Sequence, residues 1–115
     1  MPAFLRGTTA GAIALAVVAP ASAHSLEVEA EEFAFEPNRV VVEAGERVEI
    51  TFENTGRLSH NLKIPAFDVK TTTIQAGNTA TVTFTPNESG TYEMLCTVPG
   101  HSQAGMTGTV VVVQE

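Results

Sequence analysis

The 115-residue chain carries thirteen Asp or Glu against six Lys or Arg, a formal charge of −7, with one cysteine, three histidines and no tryptophan. Its length allows one small domain, its acidity argues against nucleic acid or an anionic membrane as partner, and a lone cysteine excludes an internal disulfide.

The chain opens on a leader-like segment. Arg6 supplies a thin positive region, residues 12–19 form a short apolar run, and Ala21-Ser-Ala23 is a small-residue cleavage site. This pattern predicts a secretory signal peptide over residues 1–23 and a single domain over 24–115. The run is shorter than the roughly 20 residues of a membrane span, and Pro20 ends it, so no stable membrane insertion is expected after cleavage. The expected location is periplasmic or secreted. From His24 onward five cations face thirteen carboxylates, a net −8, which suits steering towards a basic partner.

Beyond the leader, helical periodicity is absent and alternation is common. Turn signals come first at Glu36-Pro-Asn38 and Ala44-Gly-Glu46. In Val48-Glu-Ile-Thr-Phe-Glu53 the apolar Val48, Ile50 and Phe52 alternate with Glu49, Thr51 and Glu53, the mark of a half-buried strand in an antiparallel sheet. After turns at Asn54-Thr-Gly56 and Ala76-Gly-Asn78, Ala80, Val82 and Phe84 alternate with threonines in the same way. A further turn, Thr85-Pro-Asn-Glu-Ser-Gly90, leads into Gly90-Thr-Tyr92, which fits a tyrosine corner whose phenol bonds to upstream backbone. Tyr92, Met94 and Cys96 then share a strand face, with Met94 as core and Cys96 turned inward at the strand's end. The continuous run at 110–113 reads as a closing strand buried on both sides. The expected fold is all-β, a Greek-key β-sandwich of about seven to eight strands.

The chemistry concentrates near the C-terminus, in Cys96-Thr-Val-Pro-Gly-His101-Ser-Gln-Ala-Gly-Met106. A thiolate, an imidazole and a thioether thus share one short loop, and His60 lies upstream in Leu58-Ser-His-Asn-Leu62. His60, Cys96, His101 and Met106 form the ligand set of a mononuclear blue-copper site, with the methionine as the weak axial ligand. Thiolate and thioether favour Cu(I), while imidazole and a covalent thiolate accommodate Cu(II), so one set serves both oxidation states. Pro99 restricts its own φ and removes an N–H, and Gly100 permits angles closed to other residues. Zinc would accept the cysteine and histidines but leave Met106 unexplained.

On these residues the chain resembles the cupredoxins, the family of plastocyanin, amicyanin, azurin and the halocyanin- or auracyanin-like proteins. Phe33-Ala-Phe35-Glu-Pro37, Val41-Val-Glu-Ala-Gly45, Val48-Glu-Ile-Thr-Phe52 and Ser59-His-Asn61 follow the family's first half, and Gly90-Thr-Tyr92 through Met106 its second. The resemblance implies His60, Cys96 and His101 as equatorial copper ligands and Met106 as the axial one. It also implies that Asn61 steadies the ligand loops, with its amide near the cysteine sulfur. The four residues between Cys96 and His101 match azurin-like loops, and the four between His101 and Met106 match plastocyanin-like ones.

By the same resemblance His101 reaches the surface among Pro99, Gly100 and Ala104 as the electron port. The function expected is single-electron shuttling between redox proteins outside the cytoplasm, by a monomer whose partner could be a basic cytochrome. The other reading is a copper chaperone or storage module. A dinuclear copper site needs two cysteines, and a catalytic second copper needs more histidines than three, so no enzyme activity is expected. His24 would become the amino terminus after cleavage and could chelate Cu(II) there, although a plain terminal residue explains it as well.

Overall fold

β-branched and aromatic residues placed every second position build two sheets in the computed structural model, which describes residues 23–114. In chain order the strands are β1 (Ala23–Glu31), β2 (Ala34–Glu36), β3 (Arg39–Glu43), β4 (Arg47–Asn54), β5 (Lys63–Ile64), β6 (Val69–Lys70), β7 (Thr79–Phe84), β8 (Gly90–Leu95) and β9 (Thr107–Val113). One sheet runs β2-β1-β4-β7 and the other β3-β9-β8-β5-β6. The expected leader lies outside the described residues apart from Ala23, which begins β1.

The sandwich has nine strands among the described residues rather than seven or eight, because β5 and β6 are two-residue strands either side of a 3-10 turn at Pro65–Phe67. Such short pieces hold no alternation to read. Nor is the first sheet purely antiparallel. β4 pairs antiparallel with β7 but parallel with β1, from Ala23 opposite Arg47 to Ala30 opposite Asn54.

The inner faces supply Val28, Ile50, Phe52 and Val82 from one sheet and Val42, Ile64, Met94 and Val110 from the other. Fully burying side chains of this size contributes roughly 1.5–3 kcal/mol each. The run at 110–113 is not buried on both sides. Val110 and Val112 face the core, whereas Val111 is half-buried and Val113 is 39% exposed. Within the sheet β9 lies between β3, an edge strand, and β8.

The tyrosine corner is formed: Tyr92 Oη donates to the Glu88 carbonyl at 2.9 Å. Gly45 allows the turn from β3 into β4 at φ +84°, where its N–H donates to Pro86 O at 2.7 Å. The functional side chains come from three connections, β1–β2, β4–β5 and β8–β9, which meet at one end of the sandwich.

Candidate metal centre

Cys96 directly follows β8 and is fully buried, as the strand's inward register requires. Its N–H donates to Met106 O at 3.2 Å, and Met106 N–H donates to His101 O at 3.0 Å. Two backbone bonds therefore close the β8–β9 loop at its base. Inside it His101 N–H reaches Val98 O at 3.0 Å, across a turn where Gly100 takes φ +85°. A side chain is rarely stable at that angle, so glycine belongs there. Met106 is fully buried.

His60 reaches the same point from the β4–β5 loop, held by a bridge to Ile74: His60 N–H to Ile74 O at 3.1 Å, and Ile74 N–H to His60 O at 2.9 Å. Asn54, fully buried, ties that loop together by donating to Leu58 O at 2.8 Å and Ile74 O at 2.9 Å and accepting from Gly56 N–H at 2.9 Å.

His60, Cys96 and His101 bring one ligand atom each within 4.8 Å of one another, and all three residues are buried. His101 Nδ1 lies 3.2 Å from His60 Nδ1 and 3.6 Å from Cys96 Sγ. Burial, followed by the nearness of His60, pushes the His101 pKa below its ordinary value of 6.5. A neutral imidazole keeps a lone pair for a metal.

Asn61 spans the two loops. Its side-chain oxygen accepts from Thr97 N–H at 2.8 Å, and its amide donates to Thr97 Oγ1 at 2.8 Å and Thr73 Oγ1 at 3.0 Å. Two of these three bonds go to Thr97, the residue after the cysteine. Pro99, Gly100 and Ala104 are exposed around His101, which is itself 8% exposed. His24 is away from this cluster, in β1, with Nδ1 3.5 Å from Glu46 Oε1.

Two residues of the site were not foreseen. Glu32 and Phe33 form the β1–β2 turn, between the paired residues Glu31 and Ala34. Glu32 Oε1 accepts from His60 Nε2 at 3.1 Å, and the carboxylate also accepts from Arg57 N–H at 2.8 Å and Leu58 N–H at 3.1 Å. The two backbone bonds and then the His60 bond hold its pKa at about 2, against an ordinary 4.5. Phe33 sits with its ring edge-on to His101, centroids 5.2 Å apart, and remains 39% exposed at φ +62°. Glu32 belongs to no motif, Phe33 enters the sequence reading only as the first residue of a family-like stretch, and a Glu-Phe pair is not a turn signal, so tertiary approach alone gives both their place at the site.

The donor set fits copper. It joins a soft sulfur to two imidazoles in a buried pocket without a carboxylate among the three, which disfavours hard cations such as calcium or magnesium.

The model of the cupredoxin-like domain matches residues 7–112. The copper-resistant cuproprotein CopI of Rubrivivax gelatinosus is 29% identical over 97 residues, covering 68% of this chain and 59% of CopI. Auracyanin-B of Chloroflexus aurantiacus is 48% identical over 42 residues, 36% of this chain. The chain thus spans 59% and 18% of the lengths of these two curated relatives. Among solved structures, auracyanin A, a "blue" copper protein from Chloroflexus aurantiacus, superposes with a TM-score of 0.68 at 27% identity, covering 80% of this chain and all (100%) of that one. With the sandwich, the ordered ligand loops and a family model that spans most of its length, the chain belongs to the cupredoxin-like family.

Proposed function

We propose that this chain is a type 1 copper electron carrier, with His60, Cys96 and His101 as equatorial ligands and Met106 as the axial one. The observation that carries the reading is the convergence of the two Nδ1 atoms and the thiol in one buried cluster. Copper bound there would supply a one-electron couple. The protein's part is to hold the donors in place, so that little need rearrange when the charge changes, and to exclude water from them. Backbone bonds from Cys96 to Met106 and from Met106 to His101, together with the Asn61 bridge, supply that rigidity.

His101, beneath exposed Phe33 and beside Pro99, Gly100 and Ala104, is the proposed exit for the electron. The partners are redox proteins met outside the cytoplasm. Support for a basic partner comes from the outer face of the first sheet, where Glu36, Glu29 and Glu53 lie in one cross-strand row and Glu27 and Glu31 flank it. Like charges placed directly opposite are destabilising, and a cationic partner relieves them. Electron exchange with a basic cytochrome should slow as salt rises; a rate independent of salt counts against this face.

Purified with copper, the protein should be intensely blue, and the colour should vanish on reduction and in Cys96→Ser. A colourless copper complex refutes the reading. The likeness to CopI favours a second one, copper handling, in which copper would exchange readily with a chelator and no redox partner would turn over the protein.

A further inference from the structure

Glu32 is the outermost member of a chain of contacts that starts at the metal position. His60 presents Nδ1 to the cluster and Nε2 to Glu32 Oε1 at 3.1 Å. An imidazole has two tautomers, and the partner of one nitrogen decides what the other offers. A carboxylate only accepts, so this contact requires Nε2 to carry the proton and leaves the Nδ1 lone pair directed at the metal position.

The carboxylate has a seat of its own. Both oxygens take the Arg57 N–H, at 2.9 and 2.8 Å, and Oε1 also takes the Leu58 N–H at 3.1 Å. Gly56 makes room for it, since a Cβ there would overlap Glu32 Oε1 and approach the Glu32 backbone nitrogen to 3.3 Å. The loop residues 56–58 thus fix Glu32, and Glu32 fixes a ring two residues further on. His60 is wholly buried, while the Glu32 side chain keeps 35% of its surface in solvent.

We propose that Glu32 is the positioning residue of the copper centre: it locks His60 in the Nε2–H tautomer before metal arrives, and its negative charge favours Cu(II) over Cu(I). This deepens the electron-carrier reading and rests on it for the second effect, whereas the tautomer belongs to the protein without metal. A hydrogen-bonded carboxylate makes the ring a stronger donor, and outer partners of this type change metal affinity 10- to 100-fold when removed.

The test uses Glu32→Gln, which keeps the shape and removes the charge, Glu32→Ala, and Gly56→Ala, which keeps the carboxylate but displaces it. Nitrogen NMR of the metal-free wild type should show His60 protonated at Nε2 alone, and Glu32→Ala and Gly56→Ala should show a mixture. In copper-loaded protein all three should raise the reduction potential, with Cu(II) binding weakened relative to Cu(I) by about tenfold, or roughly 59 mV. If Glu32→Ala does not fold, Glu32→Gln and Gly56→Ala decide the matter. Wild-type tautomer and potential in the folded, blue variants overturn the proposal. A wild type that is not blue refutes the carrier reading instead, and the tautomer measurement on metal-free protein still decides the role of Glu32.

Discussion

The Nδ1 atoms of His60 and His101 stand 3.2 Å apart although 41 residues separate them in the chain. Two lone pairs repel at that distance, so in the metal-free protein a proton sits between them, carried by His101 Nδ1 because Glu32 holds the His60 proton at Nε2. A metal sends it to the outer nitrogen of the same ring, with no net loss from the neutral pair. Copper uptake should therefore release protons from the Cys96 thiol. Binding heats measured in buffers of different ionisation enthalpy should differ; identical heats would contradict the arrangement.

Acid should weaken the metal-free protein in two stages. His101 has a folded pKa below 6.5, so below that pH the unfolded chain takes a proton the folded one resists, and stability falls. Glu32 is held near 2 against 4.5, so its contribution is full above 4.5 and is lost as pH drops towards 2. Denaturant titrations across this range should show both slopes, and Glu32→Gln should remove only the lower one.

Removing the ring over His101 separates colour from traffic. Phe33→Ala should leave the blue band in place, because no ligand changes, yet slow electron exchange several-fold by removing the apolar cover at the exit. Stopped-flow rates beside the absorption spectrum would show it, and an unaltered rate would take Phe33 out of the route.

Asn61→Ala deletes three hydrogen bonds, two of which join the ligand loops, and should cost about 2–3 kcal/mol. Part of that cost arises because Thr97 N–H loses its acceptor. Copper should also bind less tightly, which a competitive chelator titration can measure.

Tyr92→Phe should act on the fold alone. Losing the bond to Glu88 O costs about 1 kcal/mol, or a fall of roughly 4–8 °C in Tm for a domain of this size. The absorption spectrum of the copper-loaded variant should match wild type.

The sandwich was legible wherever a strand alternates over several residues, as in β4 and β7. Alternation reports a buried face but not the neighbour, which is why the parallel pairing of β1 with β4 was invisible. The valine run in β9 misled because four apolar residues in succession look the same whether one face or both are covered. At the metal centre, the side chains that converge are ones the sequence singled out by type and spacing. What spacing could not express was Glu32 and Phe33, whose contacts exist only because the β1–β2 turn folds over two loops distant in the chain.

Phe33 places opposing demands on a single position. A left-handed backbone angle costs a bulky residue roughly 1–2 kcal/mol, which glycine would recover. A redesign guided by stability alone would therefore replace this residue early, and would strip the cover from His101 in doing so. Natural drift towards a sturdier turn meets the same conflict, so relatives of this chain that exchange electrons in another way should be the ones free to carry glycine or asparagine there.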